Sequence, residues 1–575
     1  MTAIHWGQLA LYTTLLLLAA KPLGLYMTAV YEGRRTWLSP VLRPVEAGVY
    51  RVAGVREDDE QDWWRYLLAV LGFSVLRFLL LYVLLRMQGS LPLNPQELPG
   101  LKPSLAFNTA MSFTSNTNWQ AYGGETTMSY LSQMVGLTFQ NFVSAATGMA
   151  VLVAVIRGFA RSSASTLGNF WVDLTRSTLY ILLPLSVIVA VFLVSQGVIQ
   201  NFDSYREVTT LEGAKQLIGM GPAAAQVAIK QIGTNGGGFF NVNSSHPLEN
   251  PTAWANLVEM LAILLVPVGS VYMYGKMVGS TRHGWVLIGA MAGLMLLGAV
   301  VTGWSEQGGN PNLAAAGIEQ TAGGDQLGGN MEGKEVRFGI GNSTIWAVAT
   351  TDASNGSVNS MHDSYTALGG MTLLANMLTS EVIFGGVGSG MYGAVLYVLL
   401  TVFIAGLMVG RTPEYLGKKV EAREMKAVMA ALLIFPVLIL GWTAIAVVND
   451  FGTATLNNGG PHGFSEALYA FTSGAANNGS AFAGLGANGT FYNLGIGLNM
   501  LLGRFVFIVA VMVIAGSMVK KQRVAPSLGT FPVDGGTFGG LFTGVIVVVG
   551  LLTFFPALAL GPIVEHLMRG DATLF

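Results

Sequence analysis

The chain has no cysteine among its 575 residues. That excludes a disulfide framework, thiolate chemistry and any Cys-based metal site. Charge is also scarce: Asp, Glu, Lys and Arg make up 11%, against about 25% in an ordinary soluble domain. The net charge of -1 gives no case for nucleic acid. The first residues, Met1-Thr2-Ala3-Ile4-His5-Trp6, lack the positive n-region of a signal peptide, so the first apolar run reads as a retained helix. Neither a Gly-x4-Gly-Lys-Ser/Thr loop nor the Asp-Lys-Thr-Gly of a phosphorylated aspartate is present, and the glycines of 233–238 have no lysine beyond them. His5, His246, His283, His362, His462 and His566 are scattered, with no pair at metal-ligand spacing on one helix. No catalytic chemistry and no nucleotide are expected on this chain.

What is abundant is apolar surface, at 52% of residues, and glycine, at 74. Several apolar runs exceed the length of a membrane span, so the expected fold is an all-α polytopic membrane protein. Ten spans are expected near 4–30, 66–86, 129–156, 177–196, 253–275, 284–303, 371–410, 427–448, 491–517 and 538–560. The seventh is too long for one straight span. It carries Gly385, Gly386, Gly388 and Gly390 at its middle, a density no ordinary helix holds cheaply, so a broken helix is expected. Lys and Arg fall unevenly between the two sets of loops, 19 against seven (Arg569 among the seven). The richer side is cytoplasmic, which puts both termini on the outer side.

Between spans, on the outer side, lie four short polar loops: Ser115-Asn116-Thr117-Asn118, Gly233-Thr234-Asn235-Gly236, Ser354-Asn355-Gly356 and Ala476-Asn477-Asn478-Gly479. From Asn118 to Asn235 is 117 residues, from there to Asn355 is 120, and on to Asn478 is 123. A fixed long period means one unit used repeatedly. Each loop follows a mildly apolar stretch, at 103–113, 222–232, 344–351 and 463–473, about the length of a half-membrane helix. The unit is span, pore helix, filter loop, span. The implied division is 1–65 (first span and cytoplasmic loop), 66–160, 161–280, 281–425 and 426–525 (four repeats, the third with the broken helix) and 526–575 (last span and outer tail). Polar loops at membrane depth are tolerated only where buried or lining a water-filled path. The C-terminal ends of four half-helices favour a cation, and loop carbonyls can replace its hydration shell. With no Asp or Glu in the loops, a monovalent ion is favoured over Mg²⁺ or Ca²⁺. The filter candidates are Asn116, Thr117, Asn118, Thr234, Asn235, Gly236, Ser354, Asn355, Gly356, Asn477, Asn478 and Gly479, with Gln120 in support. The first loop, with Asn118-Trp119-Gln120, aligns ambiguously with the others.

These stretches, together with Gly233 to Asn241, Asn330 to Gly339, Met361-His362-Asp363-Ser364, Glu381 to Gly390 and Asn477 to Gly484, resemble the potassium-binding A subunit of the bacterial Kdp potassium-transporting ATPase, over essentially the whole chain. Asn355 stands where the family pattern has cysteine. The resemblance implies the superfamily of potassium transporters with four channel-like repeats, K+ as the transported ion, and a place in the bacterial inner membrane. It implies three partners: a P-type ATPase subunit that splits ATP, a single-span C subunit and a very small membrane peptide subunit. A stand-alone Trk/Ktr-like potassium transporter is the alternative. A proton- or sodium-coupled symporter would call for inverted repeats instead.

Ionisable residues inside spans are functional candidates by default. Glu381 stands before the glycine-rich break, as part of a gate or ion exit or as a partner for freed backbone groups. Arg504 lies mid-span, as a barrier to cations or as a structural pair with Glu381. Arg411 closes the seventh segment, as part of the exit path or as a cytoplasmic anchor. Arg77 and Arg86 read as snorkelling or paired charges, and Glu259 as an early helix residue. The outer loop near 304–343, rich in Gly, Asn and Gln, is expected over the pore mouth.

Overall fold

The computed structural model describes residues 1–323, 328–408, 410–525 and 530–568. The expected outer tail beyond 568, including Arg569, lies outside the described residues. The architecture is all-α and polytopic. Among the described residues nine helices are long and apolar enough to cross a membrane, or ten if the bent pair Gly536–Gly550 and Leu552–Met568 is one span.

In chain order the principal helices are α1 (Ala3–Tyr31), α2 (Ser39–Ala53), α3 (Trp63–Met87), α4 (Pro103–Thr114), α5 (Ser132–Ala160), α6 (Phe170–Ser195), α7 (Ala223–Ile232) and α8 (Ala253–Met277). They continue as α9 (Thr281–Gln307), α10 (Gly339–Asp352), α11 (Ala367–Leu378), α12 (Ser389–Met408), α13 (Ala422–Val447), α14 (Gly460–Ala476), α15 (Thr490–Met518) and α16 (Gly536–Leu558). Their starts follow local chemistry. Asp62 caps α3 by accepting from Arg65 N, and Thr252 caps α8 by accepting from Ala255 N. Proline opens the short helices α4 and α14, where its missing N–H costs nothing.

Six of these helices have fewer than 18 residues, and four of them, α4, α7, α10 and α14, precede the Asn/Gly loops. Each packs between a span before it and a span after it: α4 on α3 and α5, α7 on α6 and α8, α10 on α9 and α11, α14 on α13 and α15. The second spans form the middle of the molecule. Within their apolar windows α5 is 83% buried, and α8 and α12 are 78% buried; α3 and α6, which precede the pore helices, are 28% and 39% buried. Their outward faces, such as Leu76, Leu79, Leu80 and Val83 on α3, are exposed apolar surface suited to lipid. α15 packs on α3, α4 and α5, so the last unit meets the first. α1 lies along α8, and α16 along α9 and α12.

The long seventh segment is broken, into α11 and α12, separated by 379–388. The structure departs from the sequence expectation elsewhere. The third pore helix starts at Gly339, not 344, because Gly339, at φ 66, turns the chain into it directly from the outer loop. That outer loop is anchored in part: the buried Lys334 ammonium pairs with Glu306 at 2.7 Å, and Asn330 donates to the same carboxylate at 2.8 Å. The hairpin Arg206–Thr209 with Lys215–Ile218, and the amphipathic α2, were not expected from the apolar pattern.

Candidate functional site

The pore helices end alike. Just past the last turn one residue takes a left-handed conformation: Asn116 (φ 66), Thr234 (φ 45), Ser354 (φ 53) and Asn477 (φ 63). Two residues later comes a second one: Asn118 (φ 53), Gly236 (φ 71), Gly356 (φ 80) and Gly479 (φ 104). This pattern fixes the register of the first loop. Asn118 corresponds to Gly236, and Thr117 to Asn235. The spacing argument, which sets Asn118 beside Asn235, is off by one residue. Asparagine tolerates the left-handed region better than other non-glycine residues, so it replaces the glycine and hides the match.

The four loops close into a ring. Between the first and second, Asn116 Nδ2 donates to Gly233 O at 3.2 Å and Thr234 O at 3.1 Å, and Asn118 Nδ2 to Gly236 O at 3.2 Å. Asn235 Nδ2 donates back to Asn116 Oδ1. Gln120 doubles this seam, donating to Gly238 O at 2.9 Å and accepting from Gly238 N at 2.8 Å. Asn355 Nδ2 joins the third loop to the end of α7, at Lys230 O, 3.2 Å away. Ser354 Oγ joins it to the fourth, donating to Asn477 O at 2.8 Å. Asn477 Nδ2 closes the circle on Thr117 Oγ1 at 3.1 Å. The amides thus bind side chain to loop, and the asparagines are themselves fixed: Ser357 N donates to Asn355 Oδ1 at 3.0 Å, and Ser480 Oγ to Asn478 Oδ1 at 2.6 Å.

Glycine is required in this ring for two reasons. Gly236, Gly356 and Gly479 have positive φ, and a Cβ on each would strike the carbonyl oxygen of the next loop: Asn355 O, Asn478 O and Thr117 O respectively. Those three carbonyls belong to equivalent residues, and the loops pack backbone on backbone around a common centre. Thr117, Asn235, Asn355 and Asn478 are all fully buried.

Against the ring lies the segment between α11 and α12. Ser380, Glu381, Phe384, Gly385 and Gly388 all have positive φ there. The segment's hydrogen bonds reach three of the four units, and Gly388 packs on Gly148 of α5 in the first. Asn478 Nδ2 donates to Glu381 Oε1 at 2.7 Å, Gly385 N to Asp352 O at 3.0 Å, and Val387 N to Thr234 Oγ1 at 2.8 Å. A Cβ on Gly386 would lie against Ser354, and one on Gly390 would strike Phe384 O, so both glycines serve close approach. Arg504 stands on the side of the first loop, with Nε donating to Ser115 O at 2.7 Å and Nη1 to Tyr392 OH at 3.4 Å. The ion pair with Glu381 considered from the sequence does not form. Arg411 is not part of this assembly: it lies in an exposed turn past the far end of α12, about 30 Å along that helix from the break. Arg86 is also remote, with its guanidinium on Leu101 O ahead of α4.

Sequence reasoning missed two residues here. Asp352, in the last turn of α10, is fully buried with neither carboxylate oxygen hydrogen-bonded. Gln231 on α7 accepts from Ser357 at 2.9 Å and donates to Glu259 at 3.0 Å, tying the loops to a second span. Both sit in mildly apolar pore helices, where nothing in the hydropathy marks them. Near the start of α14 His462 lies between Asp363 and Glu565, each 3.1 Å away. Asp363, His462 and Glu466 cluster tightly, but His462 gives both ring nitrogens to carboxylates and keeps no lone pair for a metal. Burial opposes its charge, yet the bonds to Asp363 and Glu565 outweigh this and raise its pKa to about 10. A raised pKa stabilises the fold fully below the ordinary value of 6.5, and the contribution is lost as pH rises toward 10. Thermal unfolding should therefore show wild type ahead of His462→Gln by on the order of 3 kcal/mol at pH 6, with the gap closing by pH 10. A gap independent of pH would contradict the charged clamp.

Residues 10–567 match the family model described as potassium-transporting ATPase A subunit. The chain belongs to this family. It is 57% identical over 566 residues to the "Potassium-transporting ATPase potassium-binding subunit" of a Methylorubrum extorquens strain, covering 98% of each chain. It is 56% identical over 575 residues to the protein of the same description from Bradyrhizobium diazoefficiens, covering 100% of both. With that of Sorangium cellulosum identity is 58% over 576 residues, covering 99% of each.

Proposed function

We propose that this chain is the potassium-binding and translocating subunit of an ATP-driven uptake pump, which selects K+ at an outward-facing ring of four loops and passes it to a P-type ATPase partner. The closed ring carries this reading: four equivalent loops, cross-linked by Asn116, Asn118, Asn355 and Asn477, with glycines pressed against neighbouring carbonyls. Carbonyls held at fixed separation replace a dehydrated monovalent ion's water without any acid group. The four units around it are span, pore helix, loop, span, in the division at 66–160, 161–280, 281–425 and 426–525. The family's names favour the pump subunit over a stand-alone Trk/Ktr-like transporter.

The partners are the P-type ATPase subunit, the single-span C subunit and the small membrane peptide subunit. The location is the bacterial inner membrane with both termini outside, which the excess of Lys and Arg on the opposite loops supports. The segment 379–388, with Glu381 and the glycines, is the gate: it bonds to three of the four units around the filter. Arg504 is the fixed charge below the first loop. A guanidinium 4 Å from a cation repels it by about 4 kcal/mol at an effective dielectric near 20, so K+ leaves sideways and not straight down.

Two measurements test this. The chain purified from its native host should bring an ATPase with it, while the isolated chain should split no ATP. In the complete complex Arg504→Ala should lower the K+ moved per ATP. An ATPase signal from the isolated chain overturns the subunit reading, and an unchanged ratio overturns the barrier.

A further inference from the structure

Arg77 on α3 is 3% exposed and lies inside the bundle. Its Nη1 donates to Gln140 Oε1 at 3.1 Å, its Nη2 to Ser74 Oγ at 3.4 Å and to Thr114 O at 3.1 Å, and its plane lies over Phe73. Thr114 is the last residue of α4, and Arg504 reaches the next carbonyl, Ser115 O. Two guanidiniums therefore cap the C-terminal end of the first pore helix. Among the described residues the other three ends carry no guanidinium: they are closed by backbone N–H groups and by neutral asparagine amides, Asn355 Nδ2 on Lys230 O of α7 and Asn478 Nδ2 on Thr350 O of α10. α7 is closed by Asn235 N and Gly236 N on Lys230 O, α10 by Gly385 N on Asp352 O, and α14 by Asn478 N on Ser473 O.

Arg77 and Arg504 line one small cavity with Thr114, Ser115, Asn116 and Thr147, and no carboxylate lines it. Arg77 Nε, Arg504 Nη2 and Thr114 Oγ1 are buried there without a hydrogen-bond partner. Among the described residues neither guanidinium forms an ion pair. A pore-helix end normally offers a cation a partial negative charge; here two full positive charges override it. Glu381, bonded to Asn478 of the fourth loop, lines a second small cavity that Arg504 also borders and Arg77 does not.

We propose that Arg77 is a second barrier charge: with Arg504 it makes the first-loop side of the cavity under the filter repel cations, so that an ion leaving the ring moves to the side of Glu381. The inference rests on the potassium-subunit reading and adds to it a residue and a direction. Charge is what matters, so lysine should serve and glutamine should not.

The test is passive Rb+ flux, without ATP, through the complete complex in proteoliposomes. Arg77→Gln should raise the flux about fivefold or more, Arg77→Lys should stay within about twofold of wild type, and Arg77→Gln with Arg504→Ala should leak more than either alone. Equal flux in Arg77→Gln and Arg77→Lys, or no rise in Arg77→Gln, overturns the proposal in favour of a hydrogen-bonding role. Should Arg77→Gln not assemble, Thr114→Asp places a carboxylate in the same cavity; a raised flux supports the barrier and an unchanged flux overturns it. Failure of the underlying reading is seen separately, as a wild-type complex that does not pump Rb+.

Discussion

Gly236→Asp, Gly356→Asp and Gly479→Asp should each weaken K+ binding by about tenfold to a hundredfold, or about 1.4–2.8 kcal/mol, and let other monovalent ions compete. Each glycine holds a positive φ, of 71, 80 and 104, and an L side chain there costs roughly 1–2 kcal/mol from the backbone alone. The larger effect is steric. A Cβ at each position meets the carbonyl of the neighbouring loop, a backbone oxygen that cannot swing aside as a side chain does. The ring must open or that carbonyl must turn from the centre. Alanine at the same sites isolates this part, and aspartate adds a charge in a ring built without one. Gly7→Ala, with nothing within 4 Å of its Cβ, is the control for handling. Ion binding and selectivity measured by calorimetry or by Rb+ competition decide the matter, and wild-type values in all three variants would remove the ring from the mechanism.

Bulky residues in the segment against the ring should have the next largest effect. Gly388 packs its backbone on α5, where a Cβ would strike Gly148 O, and Gly148 is equally tight against Val387 O. Gly388→Val therefore lifts the segment from its seat, and with it the bonds from Val387 N to Thr234 and from Asn478 to Glu381. Passive flux through the complex should rise by about tenfold, and the K+ moved per ATP should fall. Removal of 385–390 should do the same more severely while the protein still reaches the membrane, since α11 and α12 each pack on neighbours outside the segment. Unchanged flux and coupling in both variants would make this a structural bend only.

Much of this is legible in the residues. Apolar runs mark the spans, and the repeated Asn/Gly loops mark the residues that meet in the ring, because lipid allows polar backbone only where it is buried. The break is legible from the glycine density at 385–390, although it begins at 379 and ends at 388. Pairing is not. Asn118 hides its equivalence to Gly236 because the shared property is a dihedral angle, not a residue type. The bond between Asn478 and Glu381 joins positions 97 apart, and that from Arg504 to Ser115 joins positions 389 apart; a pattern of periods carries neither. Arg77 reads from sequence as one more charge within a span, and only its place on Thr114 O shows that it serves the first pore helix. The start of α10 is lost for a local reason: Gly339, Gly341 and Asn342 weaken the apolar signal in its first turn.

The most direct test of the four-loop ring is the position of a heavy K+ analogue. Crystals or grids of the complete complex in Tl+ or Rb+ should show the ion at the centre of the ring, with oxygen neighbours from all four loops, Thr117, Asn235, Asn355 and Asn478 among them, and this density should vanish in Gly356→Asp. An ion bound elsewhere in the chain, with the ring empty under conditions that support transport, would contradict the account.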